Sequence, residues 1–175
     1  MAKNNEMITL NVGDKAPVFK GTDQNGSKVS LADFKGKKVA LYFYPADSTP
    51  TCTVQACNLR DNYLLLKQRG IEVIGVSPDD ATSHKKFETK HQLTFTLLTD
   101  TKHTIVNQYG VWGEKQMFGN HYMGVYRTTF LIDEKGKIKA IFKKPKTKAH
   151  AEEIVEAALT PNPSPRVEKG DAKKK

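Results

Sequence analysis

Residues 39–61 read VALYFYPADSTPTCTVQACNLRD, and the change of pattern inside this stretch decides the fold. Residues 39–44 are consecutive apolar side chains closed by Pro45, as expected for a central strand buried on both faces. Beyond the turn, Cys52, Ala56, Leu59, Tyr63 and Leu66 recur at intervals of three and four, which lays one apolar stripe along a helix. Gly70 stands where a C-terminal glycine ends such a helix.

The alternation continues outward. Residues 71–76 form a second apolar run closed soon after by Pro78, residues 83–93 read as a charged surface helix, residues 95–98 as a short strand and residues 101–109 as a short helix. Residues 127–133 and 137–142 flank Glu134-Lys135-Gly136 as strand, turn and strand, and residues 149–159 form an amphipathic closing helix. Upstream, Asp23-Gln24-Asn25-Gly26 supplies a hairpin turn. The expected fold is an α/β sandwich: a mixed central sheet flanked by helices, with an N-terminal β-hairpin. One domain over residues 9–159 accounts for the pattern. Residues 1–8 and the Pro-rich, basic residues 160–175 (TPNPSPRVEKGDAKKK) read as tails too poor in apolar surface to offset their ordering entropy.

Composition narrows the function classes. The 175 residues include only two Cys, which excludes a disulfide-rich secreted scaffold. No stretch approaches the ~20 apolar residues of a membrane-spanning helix, and the N-terminus lacks the apolar core of a secretory signal. The expected location is therefore the cytosol, with no membrane partner, and thiols there are more often chemical than structural. A net charge of +9 raises the question of nucleic acid. The lysines are spread through the chain without interleaved arginine and aromatic residues, so the charge reads as solubility and no nucleic-acid partner is expected.

The chemistry lies between the first strand and its helix. Pro50 presets a first helical turn and Thr49 is a candidate cap. Cys52 then falls in that first turn, beside unpaired backbone N–H groups and the positive end of the helix dipole, which favour the thiolate nucleophile. Two other readings stand beside this one. Free Cys often simply packs, and two Cys can be metal ligands. The spacing Cys52-x4-Cys57 is uncommon for a zinc finger, however, and His84, His91, His103, His121 and His150 form no ligand pair near it in the sequence, so no metal and no cofactor are expected.

At these residues the sequence resembles the peroxiredoxins. Pro45-x3-Thr49-x2-Cys52 matches their active-site signature, and the run YFYPADSTPTCTVQACNLRD (residues 42–61) is similar to the bacterioferritin-comigratory, or Q-type, branch. The resemblance continues through GVSPDD (75–80), FTLLTD (95–100), YGVWGEK (109–115) and YRTTFLIDEKGKI (126–138). It implies a thioredoxin-like fold and reduction of hydrogen peroxide and alkyl hydroperoxides. Cys52 would be the peroxidatic thiol and Cys57 the resolving thiol. Thr49, Thr51 and Arg127 would meet the substrate, Pro45 would shield the sulfur, and thioredoxin or a similar dithiol would recycle a monomeric enzyme. A thiol-based peroxide sensor without turnover is the alternative.

The branch usually carries Gly where this chain has Thr51. An ordinary backbone angle is expected at Thr51, so that rate or substrate preference changes and the reaction does not. The implied disulfide also conflicts with the helix. Five residues of helix separate two Cα atoms by roughly 8–9 Å, whereas a disulfide tolerates at most about 7 Å. Residues 52–59 are therefore expected to unravel on oxidation, with Thr51 as the upstream pivot.

Overall fold

A computed structural model describes residues 8–160. Most of the two expected tails, residues 1–7 and 161–175, lies outside the described residues. The hairpin predicted around Asn25-Gly26 is β1 (Lys20–Asp23) and β2 (Lys28–Ser30), antiparallel, with Gly26 at φ +84° in the turn. A single 3-10 turn, Leu31–Phe34, leads to β3 (Lys38–Phe43). There follow α1 (Pro50–Asp61), α2 (Tyr63–Gln68), β4 (Ile71–Ser77), α3 (Ala81–His91), β5 (Thr96–Thr99) and α4 (Thr104–Gln108). The chain then forms β6 (Trp112–Met117), β7 (Asn120–Val125), β8 (Thr128–Ile132), β9 (Ile138–Phe142) and α5 (His150–Leu159).

Seven strands make one sheet in the order β2-β1-β5-β4-β3-β8-β9. The β3–β4 and β4–β5 pairs are parallel and the rest antiparallel, because only the β3-α-β4-α-β5 stretch has crossover helices to make parallel pairing possible. Period-two alternation along β3 splits the core. Leu41 and Phe43 enter a cluster with Phe19, Ile74, Tyr109 and Phe130. Ala40, Tyr42 and Tyr44 face the opposite cluster, with Ala56, Leu59, Leu66, Phe87 and Ile154 from the helices. Cys52 belongs to this second cluster. The apolar stripe that defined the first helix thus carries the thiol into the core.

Two features depart from the sequence reading. The helix expected to run on to Gly70 is broken at Asn62, whose side chain donates to the Asn58 carbonyl at 2.8 Å and so competes with the backbone ladder. Residues 112–125, for which the pattern predicted no element, form a separate antiparallel hairpin. It pairs only with itself and leaves Met117, Phe118, Tyr122 and Met123 exposed. It therefore lacks the inside–outside alternation by which strands are recognised.

Gly75 shows how tightly the centre of the sheet is filled. A Cβ there would lie 2.9 Å from Tyr42 Cε1 and 3.1 Å from Leu97 Cδ2. Gly75→Ala is expected to lower stability by about 1–3 kcal/mol through overpacking, read as a lower urea midpoint at unchanged slope.

Candidate active site

The site is built where β3 ends. Register places Phe43 opposite Thr128, so the chain leaving β3 and the chain entering β8 are neighbours. From the first comes the loop of residues 44–49 and then α1; from the second comes Arg127, one residue before β8. Pro50 opens α1, and Thr53 N is bonded to Thr49 O at 2.8 Å. The amides of Thr51 and Cys52 precede that first closed turn and have no carbonyl within the helix. Thr51 lies inside α1 and is not among the residues of positive φ, so the β-branched side chain is accommodated without backbone strain.

The Cys52 side chain is 1% exposed. Arg127 Nη2 donates to its sulfur at 3.3 Å, and Nη1 donates to Gln55 Oε1 at 2.7 Å. Gln55 sits one turn beyond Cys52 on the same buried face, and by accepting from one nitrogen it aims the other at the sulfur. Lys115 adds a second positive group. Its Nζ donates to Val125 O at 2.9 Å, and burial, followed by the charge of Arg127, holds its pKa below the usual lysine range. Tyr42 is kept protonated, first by burial and then by the charge of Cys52.

Thr49 occupies the N-cap position, but its side chain does not cap the helix as the sequence suggested. The hydroxyl donates backwards to Ala46 O at 2.9 Å. This leaves the oxygen lone pairs free to accept a hydrogen bond. Pro45 is half-buried in the same loop. Ser48, between them, has φ +64°, a left-handed conformation uncommon outside glycine.

A buried polar network holds this loop. Asp47 accepts from Tyr44 Oη at 2.7 Å and from Ser83 Oγ at 2.8 Å, and its own amide donates to Asp79 Oδ2 at 2.8 Å. His84 Nδ1 lies 2.7 Å from Asp47 Oδ2, and Nε2 lies 2.9 Å from Leu98 O. Both partners are acceptors, so both ring nitrogens donate and His84 is an imidazolium. Burial alone would lower its pKa; the hydrogen bond and charge of Asp47 outweigh that and leave it raised. Asp47, Asp79 and His84 form a group with metal-ligand chemistry, but it contains neither Cys and its facing oxygens are already engaged in this network.

Cys57 lies on the same helix as Cys52, half-buried, with its sulfur 4.0 Å from His91 Nδ1. The histidines that form no pair near the thiols in sequence therefore include one that the fold delivers to Cys57. Of the residues singled out from sequence, the structure joins Cys52 and Arg127 directly and keeps Thr49, Thr51 and Pro45 in the adjoining loop and first turn. Gln55 was missed although its spacing of three from Cys52 on a helix was a usable signal. Asp47, His84 and His91 were not readable, because their partners lie 34–37 positions away.

The AhpC/TSA family model matches residues 12–141. Peroxiredoxin Bcp of Escherichia coli K12 is 47% identical over 149 residues, covering 85% of this chain and 96% of that protein. Peroxiredoxin Bcp of Bacillus subtilis is 42% identical over 149 residues, covering 85% and 95%. Among solved structures, peroxidoxin BcpB of Mycobacterium tuberculosis superposes with a TM-score of 0.76 at 30% identity, covering 85% of this chain and 96% of its own. The bacterioferritin comigratory protein of Xanthomonas campestris, studied for alkyl peroxide reduction, gives 0.76 at 27%, covering 83% and 97%. The sandwich expected from sequence is thus the fold these proteins share.

The two buried histidines set a pH dependence of stability. The raised pKa of His84 contributes stability that is complete below the unfolded value of about 6.5 and is lost as pH rises through the folded value. His150 is the opposite case. Burial lowers its pKa although Glu153 opposes the shift, so its contribution is present above about 6.5 and lost as pH falls. Asp47→Asn, which leaves His84 without its carboxylate, is expected to lower stability by about 3 kcal/mol. It should also remove the decline on the alkaline side, measured by urea unfolding from pH 5 to 9.

Proposed function

The chain belongs to the AhpC/TSA family and is a thiol peroxidase, and we propose that its turnover runs through Cys52 as the attacking sulfur and Cys57 as the resolving one. The contact between Arg127 Nη2 and Cys52 Sγ at 3.3 Å carries this reading. A guanidinium on a buried sulfur at a helix start stands ready for the charge that develops on the departing oxygen.

In the first step the Cys52 thiolate attacks the terminal oxygen of a hydroperoxide. The S–O bond forms as the O–O bond breaks, Cys52 becomes a sulfenic acid, and the alkoxide or hydroxide takes a proton and leaves as alcohol or water. Thr49 Oγ1, its own proton committed to Ala46 O, accepts the O–H of the substrate and so orients the peroxide bond along the line of attack. The open amides of Thr51 and Cys52 offer further donors, and Pro45 keeps bulk water from the sulfur. Hydrogen peroxide and alkyl hydroperoxides both present the group these contacts recognise.

In the second step Cys57 displaces hydroxide from Cys52, and an intramolecular disulfide forms. Residues 52–59 unwind first, for the reason of reach given above. The obstacle is Asn58, which donates to Lys148 O at 3.1 Å and accepts from Ala151 N at 2.7 Å, tying α1 to the start of α5. Thioredoxin or a similar dithiol then reduces the exposed disulfide. Both thiols come from one chain, so a monomer suffices.

Peroxide consumption with a thioredoxin system tests the assignment. Cys52→Ser is expected to abolish it, and Cys57→Ser to allow one turnover per chain and then stop. Arg127→Leu should lower the rate about 100-fold or more, as loss of a transition-state donor does. Thr51→Gly should shift rate or hydroperoxide preference modestly and leave the reaction the same, and a large gain in rate would contradict this. Stoichiometric oxidation of wild type without recycling would instead identify a peroxide sensor.

A further inference from the structure

Cys57 is placed against a group that the first half of the reaction does not use. His91 closes α3, and its Nδ1 faces the Cys57 sulfur at 4.0 Å, across from α1. Its ring and its backbone are each held. Phe87, fully buried one turn earlier, meets it edge-on at 5.4 Å and 76°, and Arg60 Nη1 donates to its backbone carbonyl at 2.8 Å. Arg60 also lies one turn beyond Cys57 on α1, its guanidinium donating to Asp61 Oδ1 at 2.7 and 2.9 Å. The resolving sulfur thus faces an imidazole nitrogen, as the peroxidatic sulfur faces Arg127.

We propose that His91 is the general base of the resolving step, taking the Cys57 proton at Nδ1 before the helix opens. This rests on Cys57 being the resolving thiol. The Cys57 S–H proton passes to Nδ1, and the thiolate attacks the sulfur of the Cys52 sulfenic acid. The S–S bond forms as the S–O bond breaks, the hydroxide takes a proton from solvent, and His91 returns its proton to solvent, for a net release of one water. The donor–acceptor distance is at the long end for a bond to sulfur, which is common for catalytic contacts before the reacting state is reached. The groups facing His91 are Cys57 and Arg60 from α1 and Lys90 from its own helix. Burial, then the charges of Lys90 and Arg60, hold its pKa below the usual histidine value, so the nitrogen is free to accept at neutral pH.

The test separates the two chemical steps. After one equivalent of hydrogen peroxide, acid quench and mass spectrometry follow the sulfenic acid and the disulfide in wild type, His91→Gln and Cys57→Ser from pH 5.5 to 9. His91→Gln is expected to form sulfenic acid at the wild-type rate and the disulfide about 10- to 100-fold more slowly at pH 7, with its rate profile displaced to higher pH. In a Cys52→Ser background, alkylation of Cys57 by iodoacetamide at pH 7 should slow on adding His91→Gln, a readout that does not depend on helix opening. Cys57→Ser that stalls at sulfenic acid while His91→Gln keeps the wild-type profile in both assays would overturn the base alone. Cys57→Ser that still loses its sulfenic acid at the wild-type rate would overturn the resolving role and the base together.

Discussion

A single contact, a guanidinium on a buried sulfur, organises the molecule. Arg127 reaches Cys52 only because β8 lies antiparallel to β3, with Thr128 opposite Phe43. Seventy-five positions separate the two residues in sequence. Burying an ionisable group is costly unless a charge or donors answer it, and here the same elements that remove the sulfur from water supply both. The central strand ends where α1 begins, the neighbouring strand begins where Arg127 stands, and Gln55 on α1 fixes which nitrogen meets the sulfur.

The loop between β3 and α1 shows what such placement requires. Ser48 takes a left-handed backbone angle, a conformation that persists when its surroundings over-determine it. The hydrogen bonds that Tyr44, Ser83 and His84 donate to Asp47, with the bond from the Asp47 amide to Asp79, are those surroundings. This network reaches β4, α3 and the Leu98 carbonyl of β5. The position of the Cys52 sulfur is therefore tied to the whole parallel half of the sheet.

The helix α1 carries both cysteines, Cys52 buried and Cys57 half-buried, and its anchoring is uneven. Its first turns carry little apolar surface besides Cys52 and Ala56, with Thr51 and Val54 outward, while Asn58 and Arg60 tie its later part to α5 and α3. Segments with few buried contacts open most readily. The interruption at Asn62 separates α1 from α2, whose Leu66 belongs to the core.

Much of this was legible in the residues alone. The run at 39–44, the three-and-four spacing from Cys52 to Leu66 and the Asn25-Gly26 turn are local patterns, each set by a repeat that matches one backbone geometry, and they identified the sandwich and the thiol at the helix start. The hairpin at 112–125 was illegible because an exposed strand pair has no buried face to write a pattern. The sequence could place Arg127 at the site only by resemblance. The direction of the Thr49 hydroxyl, the Asp47–His84 pair and the meeting of His91 with Cys57 were decided by tertiary structure. Local periodicity reports which way a side chain faces, whereas contacts between distant segments depend on strand register and helix packing, which no short stretch of sequence encodes.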